Sequence, residues 1–300
     1  MKIGLLCGSL GDAGTLGRLA GSVEAAGFDS LWMGDNVSFP APVVDPLEVL
    51  ACYAAHTTRI TLGTCVYLLP LRHPTPVAKM VASLDFLSNG RVIFGVGVGG
   101  EFPEEFAACG VPVRERGVRT NEGIEVLRRL WVGSKEPFHG RVFDVPPTKL
   151  APLPVRAGGP PIWIGGRADS ALLRTARLGD GYLGYLLTPD GFRERMTKIR
   201  LLAADAERTK ARIAGAILAF AYIDEDRQAA LKRTARILGR MYGRDMEAEG
   251  RYTVVGPIGE CREKLARYAE AGVEHMILSP LAYGEELAPQ LERLERLRDH

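Results

Sequence analysis

Strict alternation of strand-like and helix-like segments is what most limits the folds open to this chain. Eight short runs rich in apolar and β-branched residues read as strands: Lys2–Cys7, Ser30–Gly34, Ile60–Val66, Arg91–Val98, Pro161–Gly165, Gly181–Leu187, Ile213–Ile223 and Glu274–Ser279. Stretches with helical periodicity alternate with them, at Thr15–Ala26, Asp45–Thr57, Thr75–Leu87, Arg116–Trp131, Asp169–Leu178, Gly191–Arg208, Ile258–Ala271 and Glu285–Leu297. One extra helical stretch covers Asp226–Arg240. The same joint recurs in Ala26-Gly27-Phe28, Leu178-Gly179-Asp180 and Ala271-Gly272-Val273, a helix end followed by glycine and then a strand. A glycine just past a helix takes the left-handed conformation without steric cost, closing the last turn and redirecting the chain. Tight returns of this kind feed a parallel sheet. An open doubly wound sheet satisfies the same alternation, but eight units in 300 residues fit a closed barrel better. The expectation is therefore α/β, a single (β/α)8 TIM-barrel domain over residues 1–300. It carries two insertions: Gly133–Gly159, rich in Pro and Gly, and the polar, glycine-punctuated Arg240–Gly256.

Composition excludes several function classes. Apolar residues at 46% and charged residues at 25% are those of an ordinary globular protein, not of a disordered, collagen-like or coiled-coil chain. Lys and Arg number 38 against 36 Asp and Glu, a net +2, so no basic excess recruits nucleic acid or an anionic membrane. Cys7, Cys52, Cys65, Cys109 and Cys261 are odd in number and scattered, with no C-x-x-C, which suits a reducing cytoplasm. His56, His73, His139, His275 and His300 do not stand at ligand spacing with them, so no metal site is expected. The N-terminal apolar run is too short for a signal-peptide core. No stretch reaches the roughly 18 uninterrupted apolar residues of a membrane span. These features predict a soluble cytoplasmic chain acting on a small molecule.

Barrel chemistry sits at the carboxyl ends of the strands. The second strand runs into Met33-Gly34-Asp35-Asn36, where Asp35 and Asn36 read either as mouth-facing groups or as an Asx turn. The third leads through Thr64-Cys65-Val66-Tyr67-Leu68 to Leu71-Arg72-His73-Pro74. No base is readable beside Cys65, which favours a small buried hydrophobe over a thiolate nucleophile. Arg72 and His73 read as the start of a helix with Pro74 and Pro76 in its first turn, rather than as an anion site. The fourth strand ends in Gly95-Val96-Gly97-Val98-Gly99-Gly100-Glu101, which formally meets G-x-G-x-x-G. Gly95 and Gly97 lie inside the strand, however, and the acidic Glu101-Phe102-Pro103-Glu104-Glu105 repels phosphate. Period two puts Gly95, Gly97 and Gly99 on one bare face, open to close approach by a helix or an aromatic ring system. The fifth strand ends in Gly165-Gly166-Arg167-Ala168-Asp169, where helix amides and a guanidinium make a phosphate seat. A plain tight turn is the alternative there.

In this order, the segments resemble the luciferase-like monooxygenase superfamily, and within it the coenzyme F420-dependent oxidoreductases. The resemblance rests on Ala25–Asp35, Arg59–Thr64, Leu71–Pro74, Leu87–Arg91 with Gly95–Gly99, Arg116–Arg119, Pro161–Gly166 and Gly179–Tyr182. It covers residues 1–190 well and Tyr252–Pro280 more loosely. It implies a barrel holding the tricyclic ring of F420, or alternatively FMN, in its mouth, and hydride exchange with a small organic substrate. By position, Asp35 would contact the ring. Cys65-Val66 would form a strand bulge, typically with a non-prolyl cis bond, against which the ring butts. Leu68, Val98 and Gly99 would line it, and Gly165, Gly166 and Arg167 would hold the phosphate. Dimers recur in the family, so a second copy of the chain is the protein partner to expect. Where sugar-phosphate dehydrogenases of this branch carry a proton-transferring histidine, this chain has Asn36. The glutamate after the fourth-strand glycines is displaced as well, with Gly100 aligned and Glu101 next. A carboxamide donates and accepts hydrogen bonds but moves no proton near neutral pH. Asn36 would then orient a substrate carbonyl or alkene. An FMN-dependent monooxygenase is the other enzymatic reading, and a cofactor-binding barrel without chemistry of its own is the non-enzymatic one.

Overall fold

Eight parallel strands close into a ring in the computed structural model, which describes residues 1–7, 10–209, 211–243 and 245–298. His300 lies outside the described residues. The strands are β1 Lys2–Leu6, β2 Ser30–Met33, β3 Thr61–Thr64, β4 Val92–Gly97, β5 Ile162–Gly165, β6 Gly181–Tyr185, β7 Ala214–Ile223 and β8 His275–Pro280. Each pairs with the next, and β8 returns to β1 with His275 opposite Lys2 and Leu278 opposite Leu5. The barrel expected from the alternation is therefore present, and the open sheet is excluded.

The helices are α1 Ala13–Ala25, α2 Pro46–His56, α3 Pro74–Leu87, α4 Pro103–Ala108, α5 Arg116–Trp131, α6 Asp169–Leu178, α7 Pro189–Asp205, α8 Arg227–Tyr242, α9 Ile258–Glu270 and α10 Leu287–Glu295. Side chains start many of them. Asp12, Asp45, Thr188 and Asp226 each accept an amide from the first turn, and proline occupies the first turns of α2, α3, α4 and α7. The six-residue α4 is the helix the periodicity did not show. Among the described residues no helix is long and apolar enough to cross a membrane.

The helix–Gly–strand joints divide into two kinds. Gly27 and Gly272 have φ of 76° and 91°, the left-handed closure expected. Gly179 has φ −89°, so its conformation is open to any residue. What excludes a side chain there is space, because a Cβ would lie 2.9 Å from Ile164 Cγ1.

Period two splits the strand side chains between two cores. Leu5, Leu31, Met33, Leu62, Phe94 and Ile162 face outward to the helices. Trp32, Trp163, Leu183, Ala216 and Ile277 fill the barrel with Cys65. The two indoles stack at 5.4 Å, and glycine at 63 and 181 is what admits them, since a Cβ at either would overlap a ring. Ser30 Oγ accepts from Trp32 Nε1 at 2.6 Å and bonds His275 Nε2 at 2.6 Å. Burial pushes the His275 imidazole down to about 4, so it is neutral near pH 7. The interior is packed, and the chemistry is left to the rim.

The insertions have structure of their own. Within Gly133–Gly159, Phe138–His139 pairs antiparallel with Asp144–Val145, and Glu122 gathers the intervening amides of Arg141, Val142 and Phe143 at 2.7–3.0 Å. Within Arg240–Gly256, a 3-10 turn over Glu247–Tyr252 precedes the strand Val254–Gly256, which adds to the far end of β7 outside the ring.

Candidate active site

Asp35, Cys65, Gly99 and Gly165 stand at the carboxyl ends of β2, β3, β4 and β5, on one rim of the barrel as expected. The third strand is shorter than its apolar run. It stops at Thr64, resumes as Tyr67–Leu68 against β4, and leaves Cys65-Val66 between, joined by a cis peptide bond. Val66 points at the glycine-bare wall. A Cβ at Gly97 would overlap its Cγ2, and one at Gly165 would lie 2.6 Å from its Cγ1. A Cβ at Gly95 would overlap the Thr64 carbonyl. The close approach anticipated over these glycines is therefore made by the chain's own bulge at Gly95 and Gly97, and by Phe106 of α4 at Gly99, where a Cβ would lie 3.2 Å from its ring. Leu68 and Gly99 adjoin it, a Cβ at Gly99 lying 3.3 Å from Leu68 Cδ2, with half-buried Val98 between the two glycines.

Asp35 is spoken for. Its side chain is fully inaccessible; Oδ2 accepts from the Leu68 amide at 2.8 Å and from Arg72 Nη1 at 2.5 Å, and Oδ1 accepts from Arg72 Nη2 at 3.0 Å. Burial pushes its carboxyl above the ordinary range, against the pull of Arg72 and the amide, while the carboxylate raises the guanidinium. Arg72, read from sequence as part of a helix start, is the counter-ion of the rim. His73 does start the helix, its Nδ1 accepting from the Thr75 amide at 3.3 Å. Asn36 is half-buried, and its carboxamide has no hydrogen-bond partner among the described residues.

Glu105 of α4 was missed by the sequence reading. It is buried and accepts from the Val37 and Ser38 amides at 2.7 and 3.2 Å, and Phe102 meets Phe39 edge-on. Together they hold the loop that carries Asn36. Pro103 followed by two glutamates was the available signal, since it marks a helix start.

Cys65 is buried, and burial pushes its thiol well up, which disfavours a thiolate. Among the described residues no cluster of His, Cys, Asp and Glu could hold a metal ion.

At the fifth strand end, Gly166 leads into α6, whose N-cap Ala168 provides no side-chain cap. Arg167 is exposed beside it, its guanidinium 5.6 Å from the centre of the Tyr185 ring. Arg195 of α7 donates to the Arg167 carbonyl at 2.5 Å, and the Tyr182 hydroxyl donates to the Gly166 carbonyl at 2.9 Å. Lys198 pairs with Asp169 at 2.9 Å, offsetting the one acid in the first turn. Tyr185 also bonds the Tyr242 hydroxyl and packs with Phe220, Met246 and Leu281 into a mostly apolar wall. Arg195, Lys198 and Tyr242 carry no local sequence signal.

The profile of luciferase-like monooxygenases matches residues 4–275. The chain belongs to that family. Within it, the F420-dependent glucose-6-phosphate dehydrogenase of Beutenbergia cavernae is 30% identical over 319 aligned positions, covering 91% of this chain and 92% of its own. A solved F420-dependent secondary alcohol dehydrogenase, bound to an F420–acetone adduct, matches with a TM-score of 0.86 over 99% of this chain and 97% of its own, at 19% identity. The oxygenating constituent of the FMN-bound 3,6-diketocamphane monooxygenase of Pseudomonas putida matches with a TM-score of 0.78 over 100% and 97%, also at 19% identity. At these identities the solved structures establish the shared luciferase-like barrel.

Proposed function

We propose that this luciferase-like barrel is an F420-dependent oxidoreductase that exchanges hydride with a small organic substrate. An F420-dependent relative aligned over nine-tenths of the chain supports the choice of cofactor. The observation that carries the site is the uncapped N-terminus of α6 beside the exposed Arg167, with its only first-turn acid neutralised by Lys198 and Arg167 held no closer than 4.0 Å to its own acid, Glu101, which a phosphate would displace. That donor set fits a phosphate. The Val66 bulge, Leu68, Val98 and Gly99 offer an apolar edge at the same rim.

When bound, F420 supplies a two-electron hydride donor or acceptor. Arg167 and the Gly165–Gly166 turn would hold the phosphate, and Val66, Leu68 and Gly99 would exclude water from the ring. Arg72 and the Leu68 amide hold the Asp35 carboxyl and so fix the bulge exit. The Asn36 carboxamide donates to a substrate oxygen and orients it, without moving a proton.

The phosphate seat serves FMN equally well, so an FMN-dependent monooxygenase is the second reading. The purified protein is titrated with F420 and with FMN, then assayed anaerobically for hydride transfer over a substrate panel. Tighter F420 binding with oxygen-independent turnover is expected, and Asn36→Ala lowers turnover without moving the pH profile. Tight FMN binding with oxygen consumption would overturn the F420 reading.

A further inference from the structure

A second cavity lies outside the barrel wall, behind β7, between α8, the 3-10 turn and α9. It measures about 740 Å³, within the range of small-molecule sites. None of its lining residues belongs to the rim of β2–β5. Its floor is apolar, made by Leu231, Val255 and the buried Cys261. Its walls carry Arg227, Lys232, Arg251, Lys264 and Arg267 against two acids, Glu260 and Glu263. Arg227 is paired with Glu260 at 2.9 Å. Lys232, Lys264 and Arg267 have no carboxylate partner among the described residues, and Arg251 lies over the Tyr252 ring.

Helical spacing explains the convergence. Glu260, Lys264 and Arg267 fall at i, i+4 and i+7 on one face of α9, while Gln228, Leu231 and Lys232 face them from α8. Like charges gathered in a groove repel one another, and half-buried Lys264 is also partly desolvated, so an anion seated among them relieves both. The volume is that of a small-molecule site. We propose that this groove is a second ligand site, taking a phosphate monoester whose apolar body lies on Leu231 and Val255 and whose dianion is held by Lys264, Arg267 and Lys232. Lys264 reflects the same crowding: burial and its cationic neighbours depress the ammonium to about 8, leaving a nucleophilic amine near neutral pH.

That amine supplies the test. The whole protein is treated with pyridoxal 5′-phosphate or with 5′-deoxypyridoxal, a phosphate-free aldehyde that, unlike pyridoxal, cannot close to a hemiacetal, then trapped with borohydride and mapped by peptide mass. Both aldehydes condense with an amine and release water; only the first carries a phosphate. Lys264 is expected to be the dominant site with the phosphorylated aldehyde, at least about tenfold faster than with the phosphate-free aldehyde, the ratio that one charge-assisted hydrogen bond supplies. Inorganic phosphate should slow the first reaction and not the second. A Lys232→Gln/Arg267→Gln double variant should bring the two rates together while the phosphate-free aldehyde still labels Lys264 ahead of other lysines, slowed only as far as the loss of the Arg267 charge raises the ammonium, a control that the groove is folded. Equal rates in the wild type, dominant labelling elsewhere (Lys198 included), or a phosphate preference that survives the double variant would overturn the proposal.

Discussion

Arg72→Met isolates the rim ion pair. It leaves a fully inaccessible Asp35 carboxylate with the Leu68 amide as its remaining partner. Breaking a buried pair from one side costs about 3–5 kcal/mol. The Arg72 side chain is 22% exposed, so water partly replaces it, and about 2–4 kcal/mol is the expected loss. In a chain of this size that lowers the melting temperature by about 3–6 °C. Urea and thermal unfolding of four proteins (wild type, Arg72→Met, Asp35→Asn and the double variant) read the coupling directly. The double variant should recover most of the loss, because a buried carboxamide needs no counter-ion. The pH dependence has a definite sign. Burial already holds the folded Asp35 carboxyl above its unfolded value, and losing Arg72 raises it further. The folded state then keeps a proton that the unfolded chain sheds near 3.9. Stability of Arg72→Met therefore rises as pH falls through the raised folded value toward about 3.9, and Asp35→Asn abolishes that rise. A loss below about 0.5 kcal/mol, or a double variant no more stable than Arg72→Met, would refute the reasoning.

The remaining expectations are shorter. Arg167→Ala should weaken binding of the phosphate-bearing cofactor by about 1.5–3 kcal/mol, measured by titration; unchanged affinity removes Arg167 from the site. Cys65→Ser should retain most turnover, since burial keeps the thiol protonated; a dead variant that still binds cofactor makes Cys65 chemical. His275, held at about 4 against the usual 6.5, contributes stability present above pH 6.5 and lost as pH falls toward 4, on the order of 3 kcal/mol. His275→Gln should flatten that part of the stability–pH curve, and an unchanged slope would show that the ring does not titrate as described.

The sequence by itself determined what contiguous residues encode. Apolar spacing set the eight strands and their helices, glycine at 27 and 272 set two of the returns, and eight such units close in one way. The rim followed from the strand ends, so Asp35, Cys65, Gly99 and Gly165 were placeable without coordinates. Only the tertiary structure decided how those groups are partnered. Arg72 reaches Asp35 across 37 residues, Glu105 reaches the Val37 amide across 68, Tyr242 reaches Tyr185 across 57, and His275 reaches Ser30 across 245. The same holds for Arg195 over the Gly166–Arg167 turn and for the cationic groove between α8 and α9. Strand and helix period are local backbone properties, written in every few residues. The partners of a buried charge are instead chosen by the closure of the barrel, which brings together side chains whose distance along the chain carries no signal.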